Sequence, residues 1–133
     1  MTITIRPIEP RDLPDVQAEL RAHWSSTEIW SLGHCHQADR LPGFVAEVGG
    51  RFAGLVTINP NAGDWQCEVV TLSSRSPTAG VGAALLAAAE RFARDRGCKR
   101  IYLTTTNDNT HAIRFYQKRG WRLRSLHAGI VDR

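Results

Sequence analysis

The chain has 133 residues, 42% hydrophobic and 23% charged, which suits one folded domain spanning residues 1–133 and leaves no length for a second. No apolar run nears the roughly 18 residues of a membrane-spanning helix, and three dispersed cysteines without Cys-x-x-Cys spacing (Cys35, Cys67, Cys98) point to a reduced, cytoplasmic compartment. The net charge of +4 conceals six Lys/Arg against ten Asp/Glu in residues 1–90 and eleven against three in residues 91–133, so the second part either faces a polyanion or is a solvated basic face.

In chain order, Thr2 to Pro7 alternates like a strand, with Ile3 and Ile5 on one face, and lacks the apolar core of a signal peptide. Asp12 can cap a helix running to about Trp24, in which Leu13, Val16, Leu20 and Trp24 recur at helical spacing and Pro14 occupies the tolerated first turn. Residues 25–42 mix aromatic and polar groups without a period and are expected to form a loop with a short helix. Gly43 to Val48 and Arg51 to Ile58, joined by Gly49-Gly50, form a strong hairpin signal. Asn59 to Asp64 reads as a second turn into a strand from Trp65 to Leu72. A helix from about Val81 to Arg96 places Val81, Leu85, Ala89 and Phe92 on one stripe, and Gly97 stops it. Then come a strand from Arg100 to Thr106, a short helix ending near Arg119 and Gly120, and a last alternating strand from Trp121 to His127. The order β-α-loop-β-β-β-α-β-α-β predicts a mixed α/β fold with helices on the faces of the sheet.

The segment from Glu68 through Gly80-Val-Gly82 to Leu86 concentrates the chemistry. A strand feeding a glycine turn and a helix start offers unpaired N–H groups at a positive dipole end, suited to pyrophosphate. A P-loop is excluded because Ala83-Ala84, not Lys-Ser/Thr, follow Gly82, and a dinucleotide fingerprint is excluded because Leu85 stands where a third glycine or alanine belongs. What remains is an anion cradle without lysine or metal, although helix packing alone can also demand glycines. His34-Cys35-His36 can place two imidazoles on one side of a strand, but a structural metal usually takes about four ligands and no accompanying cluster exists, so no metal is expected. Glu68 is the single acid in its apolar run, which is costly to bury unless it is hydrogen-bonded or catalytic; an outward-facing edge position is the alternative. From spacing alone, Tyr116 reads as a core aromatic of an amphipathic helix.

Two segments, Leu72…Gly80-Val-Gly82-Ala-Ala-Leu-Leu86 and Asn109-Thr-His-Ala-Ile-Arg-Phe-Tyr116-Gln-Lys-Arg-Gly120-Trp121, resemble the motifs of the GNAT superfamily of acyl-CoA-dependent N-acyltransferases, in order and on the expected elements. The resemblance covers nearly the whole chain and implies a mixed, mostly antiparallel twisted sheet flanked by helices. It implies acetyl-CoA as co-substrate in a notch between two strands, with its pantetheine arm along the backbone of Val70, Thr71 and Leu72. The pyrophosphate would rest on N–H groups of Thr78, Ala79, Gly80, Val81, Gly82 and Ala83, with Asn109 on the arm and Tyr116 near the sulfur. Glu68 is the candidate base for the incoming primary amine, a backbone N–H of the strand the oxyanion donor, and Tyr116 the acid for the departing thiolate. Trp24, Trp30, His34 and His36 are candidates for lining the acceptor site, on a small molecule or a protein.

Departures from the family pattern are Pro77, where Arg or Gln is usual, and Thr78 in place of a glycine, with Arg75 a substitute for the outer phosphate. The chain stops at Arg133, short of the C-terminal strand that family members commonly add; a homodimer partner supplying that wall, an open site and an incomplete chain each account for this. The competing readings are a non-catalytic CoA-binding module and a basic nucleic-acid-binding protein, the latter without a recognised motif.

Overall fold

Among the described residues, five strands make the central sheet. The structure, a computed structural model, describes residues 2–31, 34–63, 65–74, 80–103 and 110–121. Its elements are β1 (Ile3–Pro7), α1 (Leu13–Trp24), β2 (Glu28–Ser31), β3 (His34–Gln37), β4 (Gly43–Val48), β5 (Arg51–Gly63), β6 (Gln66–Ser74), α2 (Val81–Asp95), β7 (Arg100–Tyr102) and α3 (Thr110–Gln117). The sheet order is β1-β4-β5-β6-β7, antiparallel except for the parallel pair β6/β7. This is the mixed, mostly antiparallel sheet that the sequence led us to expect.

Local chemistry accounts for the turns. Gly49 and Gly50 both take positive φ (61° and 77°), which only a glycine pair adopts at low cost, so the β4–β5 hairpin closes in two residues. Gly97 (φ 77°) ends α2, as its position predicts. Arg6 on β1 donates both terminal nitrogens to Asp12 at 2.7 Å and reaches Glu47 on β4 at 3.2 Å, tying the entrance of α1 to the sheet. Asp12 therefore does not cap α1 as expected; its carboxylate is taken by Arg6 and by the Glu9 N–H, 2.7 Å away.

The two faces of the sheet carry separate cores. On one, Val81, Leu85, Ala89 and Ala93 of α2 pack on Ala46, Val56, Ile58, Cys67 and Val69, with Phe92 set edge-on against Phe44. On the other, Val16 and Leu20 of α1 pack with Ile29, Ala38, Val45 and Leu55. Each such aliphatic side chain contributes about 1.5–3 kcal/mol by leaving water. Leu13, expected on the α1 stripe, is exposed at the first helical position, before the helix reaches the sheet.

Two expectations are corrected. Glu28–Ser31 and His34–Gln37 pair as a separate two-stranded sheet where a loop was expected, with Ile29 opposite His36 and Trp30 opposite Cys35, and the expected short helix is a one-turn 3-10 helix at Ala38–Arg40. Among the described side chains of that sheet, Ile29 is the buried aliphatic, too little to produce a visible period. Asn59 to Gly63 continues β5 instead of turning; its register with β6 is irregular between Asn59 and Gly63, where Pro60 has no N–H to give, and the reversal moves to Trp65, which takes φ 58°. The strand expected from Trp121 to His127 lies, beyond Trp121 itself, outside the described residues, as does the end of the 100–106 strand past Leu103.

Candidate active site

The two ends of β6 have different neighbours. Gln66, Cys67 and Glu68 pair with Arg100, Ile101 and Tyr102 of β7 on one side, and Gln66 and Glu68 pair with Gly63 and Asn59 of β5 on the other. Beyond Glu68 the parallel ladder stops, and among the described residues Val69 to Ser74 pair with β5 alone. A β-bulge falls there: Ile58 pairs with Val69 and Thr57 with Thr71, which leaves Val70 as the extra residue. Among the described residues, this stretch of β6 therefore has no backbone partner on the β7 side, beside a residue without a ladder partner. The bulge is braced from within by the hydroxyls of Thr57 and Thr71, 2.6 Å apart and buried. Thr71 thus has only its backbone to offer a ligand, and Leu72 turns its side chain into the α2 core.

The start of α2 has the form of an anion cradle. Gly80 precedes the helix at φ 94°, a conformation that a side chain would strain, and no side chain caps the helix. Its carbonyl accepts the first intrahelical bond, from Ala84 N–H at 2.9 Å, so the N–H groups of Val81, Gly82 and Ala83 have no acceptor within the helix. Val81 is wholly buried, and only its main chain is available. Gly82 has a packing reason as well: a Cβ there would lie 3.2 Å from Phe115 of α3. The packing reading thus has its support at Gly82. These groups fit a pyrophosphate as far as the described residues go; Thr78, Ala79 and Asn109, predicted to share that work, lie outside them.

Next to Phe115 is Tyr116, packed edge-on against it (5.2 Å between ring centres) and tilted against Trp121 (5.7 Å). Burial pushes the Tyr116 phenol up to about 12, so it holds its proton throughout the neutral range. Trp121 is anchored by donating its indole N–H to Glu90 at 2.8 Å, and its backbone N–H returns to the Tyr116 carbonyl at 3.0 Å.

Glu68 sits where the parallel ladder ends. It is 4% exposed, with its carboxylate oxygen 3.5 Å from Nε2 of His36, which arrives from β3 and has no hydrogen-bond partner at that nitrogen. The alternative of an outward-facing Glu68 is thereby removed. Opposite it in the ladder, burial and the nearby Glu68 carboxylate both raise the Tyr102 pKa. Of the other predicted residues, Trp24 is half-buried, joins the α1-side core and stacks with His23. Trp30 and His34 are placed by backbone only, on β2 and β3. The structure brings Glu68 and His36 together, and separately brings the helix carrying Tyr116 against the start of α2. Sequence reasoning missed the Val70 bulge, the Thr57–Thr71 brace and the His36–Glu68 contact; none has a local signature, since each depends on register between distant strands. Among the described residues, no group of three or more His, Cys, Asp or Glu could hold a metal ion, and no helix is long and apolar enough to cross a membrane.

A parallel strand pair that ends beside a bulge, next to an uncapped glycine-led helix, is the architecture of acyl-CoA-dependent acetyltransferases. The family profile described as acetyltransferase (GNAT) family matches residues 6–121, and the chain belongs to that family, whose members are acetyl-CoA-dependent N-acetyltransferases. Among its relatives is the uncharacterized protein YxbD of Bacillus subtilis (strain 168), 38% identical over 126 residues that cover 92% of this chain and 76% of YxbD. The uncharacterized protein YdhI of the same strain is 37% identical over 112 residues, 84% of this chain and 69% of YdhI. The fold is shared with AAC(6')-Iy in complex with a bisubstrate analog (TM-score 0.76, 19% identity, 100% of this chain and 99% of that one). It is shared too with the ribosomal-protein-alanine N-acetyltransferase of Brucella melitensis biovar Abortus 2308 (TM-score 0.70, 16% identity, 100% and 99%). AAC(6')-Iy has also been crystallised with CoA.

Proposed function

We propose that residues 1–133 act as a single N-acetyltransferase domain that transfers an acetyl group from acetyl-CoA to a primary amine of a small molecule or a protein, by direct attack. The observation that carries this reading is the ending of the β6/β7 ladder at Glu68–Tyr102, one residue short of Val69 and two short of the Val70 bulge. Acetyl-CoA supplies an activated thioester. The open backbone of Val70, Thr71 and Leu72 hydrogen-bonds its arm, and the N–H groups of Val81, Gly82 and Ala83, with Thr78, Ala79 and Gly80, take its pyrophosphate. Asn109 holds the arm further along.

Glu68 is the base. A lysine-like amine has a pKa of about 10.4 and arrives as an ammonium, so a buried carboxylate both attracts it and removes its proton, directly or through water. The N–H of Val70, the extra residue of the bulge, stabilises the charge that develops on the acyl oxygen. Tyr116 gives its proton to the departing thiolate; its raised pKa keeps that proton in place until it is needed. His36, with Trp24, Trp30 and His34, lines the acceptor side. That side belongs to the acidic part of the chain, which favours a cationic acceptor.

A panel of primary amines, including polyamines and peptide N-termini, incubated with acetyl-CoA and assayed for free thiol tests the proposal. Acceptor-dependent thiol release is expected for at least one cationic amine. CoA binding without thiol release on any member would instead make the chain a binding module.

A further inference from the structure

At the closed end of β6 two thiols meet. Cys67 is fully buried in the core beneath α2, and Cys98 is half-buried, one residue past the left-handed Gly97. Their sulfurs stand 2.9 Å apart, inside the ordinary separation of non-bonded sulfurs and outside that of a covalent bond. Neither thiol has to search for the other. Cys67 is fixed by its pairing with Ile101, and Cys98 by its N–H bond to the Ala93 carbonyl at 2.9 Å; the next residue, Lys99, donates to the Trp65 carbonyl at 2.8 Å. The third cysteine, Cys35, is exposed on the separate β2–β3 sheet.

We propose that Cys67 and Cys98 form a reversible dithiol–disulfide couple, an oxidative modification site that closes a covalent ring around α2. The two residues are 31 apart in sequence, and the whole of Val81–Asp95 lies between them. The oxidant class is a hydroperoxide. Cys98, the more exposed residue of the two, gives its proton to solvent and attacks as thiolate; its sulfur gains the terminal hydroxyl, becoming a sulfenic acid, and the O–O bond breaks to expel hydroxide or an alkoxide, which takes a proton from solvent to leave as water or an alcohol. The Cys67 sulfur then displaces the hydroxyl: an S–S bond forms, the S–O bond breaks, and the Cys67 proton leaves with the hydroxyl as water. Two thiols lose two electrons and one hydroperoxide gains them; a small dithiol reductant reverses the change. Burial pushes the Cys67 thiol up, with Cys98 adding to the shift and Arg96 opposing it, which fits Cys98 as the sulfur that meets the oxidant first.

The site needs nothing from the acetyl-transfer chemistry, so its test reads mass and stability. Purified protein treated with hydrogen peroxide and then alkylated is expected to lose the mass of two hydrogen atoms, to yield one linked Cys67–Cys98 peptide, and to carry the alkyl group on Cys35. Its Tm is expected to rise by roughly 5–15 °C through loss of loop entropy in the unfolded chain, and to return on treatment with dithiothreitol. Cys35→Ser should behave identically, and Cys98→Ser should show neither link nor Tm rise. Should Cys98→Ser fail to fold, the linked peptide in Cys35→Ser carries the test alone. Oxidation of Cys98 to sulfinic acid without a link, or cross-linking only through Cys35, would overturn the proposal.

Discussion

The two ends of β6 do opposite things. At Gln66 and Glu68 the strand is held on both sides, and Cys67 between them fills the core against α2. From Val69 to Ser74 it is held, among the described residues, on one side only, and it bulges at Val70. Pairing separates the two halves: a strand edge without a partner is a backbone surface, and a backbone surface is what an extended ligand can join. Glu68 stands at the crossing point, buried and within 3.5 Å of His36.

That contrast can be broken most sharply at Glu68 itself. Glu68→Gln keeps the size of the side chain and removes the base, so kcat should fall by about 10²–10⁴ at neutral pH, with CoA affinity from calorimetry within a few-fold. An unchanged kcat would return Glu68 to the structural half. Tyr116→Phe should lower kcat by about 10²-fold and leave CoA binding nearly intact. The same variant has a stability signature: an unfolded tyrosine titrates near 10 and the folded one near 12. Between those values the unfolded chain has lost a proton that the native chain keeps, so stability should fall as pH rises through that window. In Tyr116→Phe this part of the fall should vanish from pH-dependent denaturation curves. At the open end, Gly80→Val forces a β-branched residue into φ 94° and should cost about 1–2 kcal/mol in urea unfolding, with CoA affinity weakened at least several-fold. Equal CoA affinity would dismiss the cradle. Smallest is Gly82→Ala, whose new Cβ meets Phe115 at 3.2 Å. Alanine gains up to about 1 kcal/mol of helix propensity, so the melting temperature should hold or rise while kcat drops a few-fold.

How much of this was legible in the sequence follows from the range of each interaction. The Gly49-Gly50 turn, the stripe of Val81, Leu85 and Ala89, and the Gly97 stop are set by neighbours within a few residues, and the structure places them as read. The β2–β3 pair was invisible because its cross-strand pairs carry little apolar alternation; among its described side chains, Ile29 is the buried aliphatic. Asn59 to Gly63 misled because Asn, Pro and Gly suit turns locally, whereas pairing with β6 carries them as strand. In the site, Glu68 stood out as an acid in an apolar run, and the glycine pair as a helix start. That His36 meets Glu68, and that Val70 is one residue too many, depends on how β3, β5 and β6 come into register. Such long-range pairing leaves no trace in any short window.

Gly82 brings a further consequence. A glycine in the first turn of α2 weakens that helix, and the bare surface it leaves is where Phe115 rests, one residue from Tyr116. The helix that would grip the nucleotide end of the donor and the helix that carries the proposed acid are therefore in mechanical register, with the Phe115 ring set directly on the bare backbone at Gly82. A donor seating on α2 would also settle α3, so initial-rate kinetics should follow a compulsory order with acetyl-CoA first. A random-order pattern would show the two helices to be independent.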